Sequence, residues 1–249
     1  MQTFEIICLA NSLKHGGRCI AGIKTDGSGW LRPVSGRGDG TLYEEHYTLT
    51  NGREPKLFDI LQILCQEADP RDYHPENWAI ASQKWRHQGM TTINQLNQLL
   101  TKEFKSAIQS THLLGTQSDR LKVDNLSNNP LTQSLCLIRP DDILWTIQTD
   151  EFSEKRRFRA IFELQQVKYD LSITDPLWQN QLNQLVDGEY SSEAVVENLS
   201  LENYDPKHFL LTISLSEPFQ PTLDQPLYCF KLIAAVMNRA NARVLLAQE

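Results

Sequence analysis

Apolar and polar positions alternate with a period of two along most of this chain, which predicts a mainly β protein. The pattern is clearest in the second half. Ile143–Ile147 alternates, and then Phe158, Ala160, Phe162 and Leu164 alternate with Arg157, Arg159, Ile161 and Glu163. After a Gln165-Gln166 link, Val167, Tyr169, Leu171 and Ile173 alternate again, giving a three-strand meander. Asp175 as N-cap and Pro176 as first helical residue then start a helix carrying Trp178, Leu182, Leu185 and Val186, closed by Asp187-Gly188. Two further strands follow at Phe209–Leu215 and Leu227–Val236. Three strands, a helix and two strands is the order of an OB-fold, a five-stranded Greek-key barrel.

The first half reads the same way. Phe4–Leu9, Arg18–Ile23 and Trp30–Val34 are its first three strands, and Leu57–Cys65 its fourth. The fifth is expected at Leu135–Ile138, after an insertion over about 70–130 that is too long for an ordinary loop. Within it Ile93, Leu96, Leu99, Leu100, Phe104 and Ile108 mark one face of an amphipathic helix. The expected fold class is therefore mainly β with a helical insertion (β + α): two tandem OB-like five-stranded Greek-key barrels. Residues 1–140 form the first, with the insertion at about 70–130; residues 141–249 form the second, with an acidic loop at about 187–207.

Composition sharpens this picture. Of the 249 residues, 40% are hydrophobic and 22% charged, which is ordinary for a globular core. No stretch approaches the roughly 18 apolar residues of a membrane span, so no membrane partner is expected. The start, Met-Gln-Thr-Phe-Glu, lacks the pattern of a secretory signal, and a cytoplasmic location is expected. Cys8, Cys19, Cys65, Cys136 and Cys229 make no CxxC pair and sit in apolar runs, as structural thiols do. Neither a metal nor a cofactor is expected.

The net charge of -7 is unevenly spread. Residues 170–206 carry eight acids and no Lys or Arg, leaving 24 basic against 23 acidic residues elsewhere. Residues 11–38 carry Lys14, Arg18, Lys24, Arg32 and Arg37 against Asp26 alone.

That basic segment coincides with the parts of an OB-fold that usually hold ligands: strands 2 and 3 and the loops joining strands 1–2 and 4–5. Asn11–Gly17 is the expected 1–2 loop, with Asn11, Ser12, Gly16 and Gly17 supplying backbone or small side chains. Period-two geometry groups Arg18 with Ile20 and Gly22, and Trp30 with Arg32. Lys14, His15, Arg18, Trp30 and Arg32 can then line one open face. Cations track phosphates and a flat aromatic stacks a base for about 1–3 kcal/mol, which suits single-stranded DNA or RNA. The glycines would let a phosphate approach backbone N–H groups. In the second barrel Lys155, Arg156 and Arg157 repeat the theme, against a solvated charged face as the alternative. Trp30 as core and Arg32 as half of an ion pair are the alternatives in the first.

Catalytic constellations are sparse. His74 and Glu76 in "YHPENW" offer an acid/base pair in what reads as a turn, and there is no GxxxxGK[ST], GxGxxG or HExxH.

The chain resembles the dual OB-containing domain family of bacteria almost end to end. The likeness rests on "CLANSLKHGGRCIAG" (8–22), "GWLRPVS" (29–35), "LFDIL" (57–61), "ENW" (76–78), "DRL" (119–121), "SLCLIRP" (134–140), "KRRFRAIF" (155–162), "YDLSITDP" (169–176), "LTISLSEPF" (211–219) and "YCFKLIAAV" (228–236). The resemblance implies two tandem OB folds and a nucleic-acid-sensing role in bacterial conflict or defence systems. The family's signature positions fall on Asn11, Ser12, Lys14, Gly17 and Arg18, on Trp30, Arg32 and Pro33, and on Lys155 and Arg157. The acidic stretch between 187 and 207 is longer than the family pattern and is expected to screen the basic faces or to mimic nucleic acid.

The leading expectation is a cytoplasmic, non-enzymatic module that binds or senses single-stranded DNA or RNA. A protein-interaction subunit that docks an effector enzyme is the second. A nucleotide- or nucleic-acid-modifying enzyme using His15, Arg18 or Asp175 is the third.

Overall fold

Short-period alternation carries the first half of the chain into a closed barrel. The computed structural model describes residues 1–109 and 112–247 and, for residues 104–109, the backbone only. Strands β1 (Gln2–Lys14), β2 (Gly17–Lys24) and β3 (Trp30–Val34) form an antiparallel meander. A four-residue helix, α1 (Glu44–Tyr47), leads to β4 (Asp59–Ala68), β5 (Asn77–Ile80) and β6 (Arg86–Met90). The strand order is β1-β2-β3-β5-β4, with β4 returning to pair with β1 and β3 running parallel to β5. Ile6, Cys8, Ile20, Leu31, Ile63 and Trp85 fill the interior.

The strand that closes this barrel is β5, not Leu135–Ile138. It lies inside the segment expected to be an insertion, directly after the "HPE" turn. Four residues are too few to show a period, and what holds the strand is distant: its Trp78 meets Phe4 of β1 edge-on at 4.5 Å.

The helical part of the insertion is α2 (Ile93–Gln109). Thr92 and Gln95 start it with a reciprocal capping box: Gln95 N donates to Thr92 Oγ1 at 3.2 Å, and Thr92 N to Gln95 Oε1 at 3.0 Å. Leu96 and Leu100 are buried, as their spacing requires, while the side chains of Phe104 and Ile108 lie outside the described residues. Next come β7 (Arg120–Lys122), α3 (Val123–Asn128) and β8 (Leu135–Ile138).

The second sheet repeats the OB order. Strands β9 (Ile143–Thr149), β10 (Arg156–Leu164) and β11 (Val167–Ile173) form the meander. Helix α4 (Pro176–Leu182) begins as expected, with Asp175 accepting from Leu177 N and Trp178 N. The stretch expected as an acidic loop instead starts with β12 (Gly188–Ser191) and α5 (Ser192–Asn198), whose N-cap Ser191 accepts from Ala194 N. Strands β13 (Phe209–Leu215) and β14 (Tyr228–Asn238) and helix α6 (Arg239–Leu246) complete the chain. The order is β9-β10-β11-β14-β13, with β11 parallel to β14 as β3 is to β5. Here the two edges do not meet: β8 pairs with β13 and β12 with β9.

The architecture is thus mainly β, with two tandem OB-like units, the first a closed five-stranded barrel. Their contact is a shared core. Ile7, Leu9, Ala21, Ile23 and Trp30, on the outer face of β1–β3, pack in one cluster with Leu96, Leu137, Leu210, Ala234 and Met237. Burying side chains of this size contributes about 1.5–3 kcal/mol each. Two hydrogen bonds stitch the seam, Thr212 Oγ1 to Leu9 O at 2.6 Å and Leu13 N to Thr174 O at 2.8 Å. Among the described residues no helix is long and apolar enough to cross a membrane.

Candidate functional site at the junction of the two barrels

The side of the first barrel that carries Trp30 is covered by α2 and by the second half of the same chain. Trp30 is 4% exposed and its Nε1 donates to Glu103 of α2 at 3.1 Å. Arg32, two residues on, points the same way and is 2% exposed. Its Nη2 lies 3.0 Å from Glu76 Oε1 and donates to Ser134 Oγ and Ser214 Oγ, each at 3.0 Å. Burying a flat aromatic N–H and a guanidinium requires such partners. Arg32 Nε has none among the described residues.

The rest of the expected 1–2 loop is mostly strand. β1 and β2 continue until Lys14 faces Gly17, leaving a two-residue turn of His15 and Gly16, both at positive φ. That is the backbone a tight hairpin needs. A Cβ on Gly17 would sit 2.3 Å from Leu42 O, because Arg18 and Leu42 exchange backbone hydrogen bonds there. Gly17 thus serves close packing, and only Gly16 faces open space. Asn11 and Arg18 turn to Glu54: Asn11 Nδ2 donates at 2.9 Å and Arg18 Nε at 2.6 Å.

What converges instead is a cavity of about 440 Å³ between the units. Ser12, Lys14 and His15 line it from the hairpin, Arg32 from β3, and His74 from the turn before β5. Ser214, Glu217, Phe219 and Phe230 line it from the second sheet and the loop joining β13 to β14. In OB terms the 1–2 hairpin of one unit meets the 4–5 loop of the other, two elements that commonly bind ligands. Lys14 Nζ donates to Glu217 Oε1 at 3.2 Å and to the Asp39 carbonyl; His15 Nε2 is 3.3 Å from Glu217 Oε2. The Phe219 and Phe230 rings are 6.3 Å apart. Burial, more than the nearby Arg32 guanidinium, holds the His74 imidazole well below its ordinary pKa. His74 is therefore neutral, and since Leu215 O can only accept, Nε2 carries the proton donated across that 2.9 Å contact.

Arg18, Trp30 and Asn11 do not reach this cavity, and Lys155, Arg156 and Arg157 lie on the second unit away from it. Arg156 is spent on Asn183, Leu185 O and Asp187, and Arg157 pairs with Asp150 at 2.5 Å. Arg159 pairs with Asp170 at 2.7 Å. Lys155 is exposed.

Sequence reading missed Glu217, Phe219 and Phe230. They fall in the quoted blocks "LTISLSEPF" and "YCFKLIAAV", but nothing local connects them to a hairpin some 200 residues earlier. His74 and Glu76, weighed as an acid/base pair, are divided: Glu76 accepts from Ser134 N and Oγ and pairs with Arg32, while His74 serves Leu215. Asp175 is a buried cap that also accepts from Val236 N at 2.8 Å. Among the described residues no cluster of His, Cys, Asp or Glu could hold a metal ion.

Comparison with curated proteins gives no match. The family model described as dual OB-containing domain matches residues 4–236, nearly the whole chain and both of the sheets described above. With that coverage, and with the OB strand order present twice, the chain belongs to the dual OB-containing domain family.

Proposed function

We propose that this protein binds single-stranded nucleic acid, DNA or RNA, at the junction cavity and does so without turnover. The observation that carries this reading is that Lys14, His15 and Arg32 line the same cavity as Phe219 and Phe230. Cations for phosphate beside rings for a base are the two parts of a single-strand site. The exposed outer face of the second unit supports it less, because Arg156, Arg157 and Arg159 are each paired there with a carboxylate. Binding rather than chemistry is favoured because His74, Glu76 and Asp175 are each committed to a structural partner. We place the activity in the cytoplasm, in keeping with five free cysteines, and in the defence-system sensing role that family membership implies.

The test is a titration of labelled single-stranded oligonucleotides at several salt concentrations. Binding that weakens steeply with salt, and weakens further in Lys14→Ala, is the expected result. Affinity and salt slope that are identical in Lys14→Ala would remove the reading.

One observation favours a second reading, a docking surface for a protein partner. Leu13, Phe219, Leu223 and Leu227 are all exposed apolar side chains of the hairpin or the β13–β14 loop. A fixed partner that co-purifies with the protein, together with no oligonucleotide binding, is the outcome that selects it.

A further inference from the structure

The junction site has a buried floor and an exposed rim. Its floor is polar and buried: Arg32, His74, Ser12 and Ser214 are all nearly inaccessible and come from both units. Its rim is exposed, with the His15 side chain 61% and Phe219 58% accessible. The hairpin that forms one wall is tied to the second unit through Leu13 N and Thr174 O, and Phe219 is tied back to Tyr228 by a pair of backbone hydrogen bonds. The β1–β3 face beside it is filled by the shared core, so a bound strand cannot continue across that face.

Size points the same way. A volume of about 440 Å³ falls toward the small end of ordinary ligand pockets, roughly 300–1,000 Å³, and accommodates one nucleotide rather than several.

Charge adds a second constraint. Lys14 and Arg32 are cations at the cavity, and the Arg32 Nε is a buried donor without a partner among the described residues. Glu217 holds Lys14 and His15 from the loop between β13 and β14, as a carboxylate sitting where an anionic ligand would sit. A terminal phosphate carries close to two negative charges and three acceptor oxygens, whereas a phosphodiester carries one charge. It is therefore the better competitor for Lys14 and His15.

Resting on the nucleic-acid reading above, we infer that the cavity takes a single terminal nucleotide, its phosphate on Lys14 and His15 and its base against Phe219 and Phe230. The protein is then a reader of strand ends. Glu217 acts as the counter-ion that an incoming phosphate displaces, so it sets a threshold for binding.

The experiment compares three probes on the full chain: a linear single-stranded oligonucleotide phosphorylated at one end or the other, the same sequence closed into a circle, and a nucleoside monophosphate as competitor. The linear strand is expected to bind, the circle to bind at least tenfold more weakly, and the monophosphate to displace the line. Lys14→Ala is expected to weaken the linear strand by about tenfold, the loss of one charge-assisted hydrogen bond. Glu217→Gln, which releases Lys14 and His15 without removing either, is expected to tighten it several-fold. Equal affinity for line and circle, or Glu217→Gln weakening the linear strand, overturns the end-reading inference and leaves nucleic-acid binding standing. Binding of the monophosphate with none of either oligonucleotide upholds the one-nucleotide cavity and overturns the strand reading. No binding of any probe overturns both.

Discussion

Arg32 is held by Glu76 twice: its backbone N donates to Glu76 O at 3.0 Å, and its Nη2 lies 3.0 Å from Glu76 Oε1. The two side chains are 2% and 4% exposed, and the pair reaches across the seam to Ser134 and Ser214. One buried ion pair therefore closes the first barrel, anchors the second unit and forms the floor of the cavity. Arg32→Ala is expected to destabilise the protein by roughly 3–5 kcal/mol, because it strands the Glu76 carboxylate. Denaturant unfolding measures this. A loss below about 1 kcal/mol would mean that Glu76 finds other partners. For the same reason, lost oligonucleotide binding in Arg32→Ala reports the fold as well as the contact.

Trp30 leads to a prediction opposite to the one its residue type suggests. It is a core side chain held by Glu103, so Trp30→Ala is expected to cost about 3–5 kcal/mol in stability. Trp30→Phe keeps most of the buried area and is expected to leave oligonucleotide affinity unchanged. Thermal unfolding of the first variant and a binding titration of the second check the pair of outcomes.

At the hairpin, neighbouring glycines are expected to respond for different reasons. Gly17→Ala places a methyl group 2.3 Å from the Leu42 carbonyl oxygen, in backbone that cannot swing aside. A cost of roughly 1–3 kcal/mol and a displaced Lys14 are expected. Gly16→Ala meets no neighbour and suffers only its positive φ, for a cost near 1 kcal/mol. Unfolding curves for the two variants should differ in that order.

The dependence of stability on pH follows from buried neutral groups. Burial pushes the Cys65, Cys136 and Cys229 thiols from 9.0 up to about 12, and the Cys8 thiol higher still. Unfolded thiols ionise above pH 9 while these stay protonated, so the folded state binds more protons there. Stability is therefore full below pH 9 and falls as pH rises toward 12, by up to about 1.4 kcal/mol per thiol per pH unit. Lys231 opposes this over part of the range. Burial lowers its ammonium from 10.5 to about 8, so it adds stability as pH rises between those values. Four thiols outweigh one amine. On the acid side, the depressed His74 makes stability fall as pH drops below 6.5, where the unfolded imidazole takes a proton that the folded one refuses. Chemical unfolding near pH 7.5 and 10.5 should show the lower stability at the higher value.

The basic cluster of the second unit is expected to be silent in binding. Arg157→Ala and Lys155→Ala should change oligonucleotide affinity by less than about twofold, since the first is paired with Asp150 and neither reaches the cavity. Arg156→Ala is different: it unties β10 from Asn183, Leu185 and Asp187 and is expected to loosen the β12 edge, read as faster amide exchange there.

Sequence by itself determined the elements whose signals are local. Period-two alternation located β11 to the residue, apolar runs located β3 and β13, the Asp175-Pro176 pair located the start of α4, and the Leu96 and Leu100 spacing located the inner face of α2. Parity also grouped Trp30 with Arg32 on one face of β3, but the expected grouping of Arg18 and Ile20 with them fails: Ile23 lies beside Trp30, Ile20 is in the barrel interior and Arg18 turns to Glu54. Tertiary structure alone decided what that face meets. Leu135–Ile138 is an equally good strand beside either sheet, and its pairing with β13 rather than the first barrel rests on contacts some 75 residues away. A four-residue β5 closes the barrel because Arg32, Glu76 and Phe4 hold it there, not because its own pattern calls for a strand. The cavity is the clearest case: Lys14 and Glu217 are 203 residues apart, and only the packing of one OB unit on the other brings a cation, a carboxylate and two phenyl rings to one opening. Hydrophobic patterning states which side of a strand must leave water. Which distant surface covers it is settled by shape and by the pairing of buried charge.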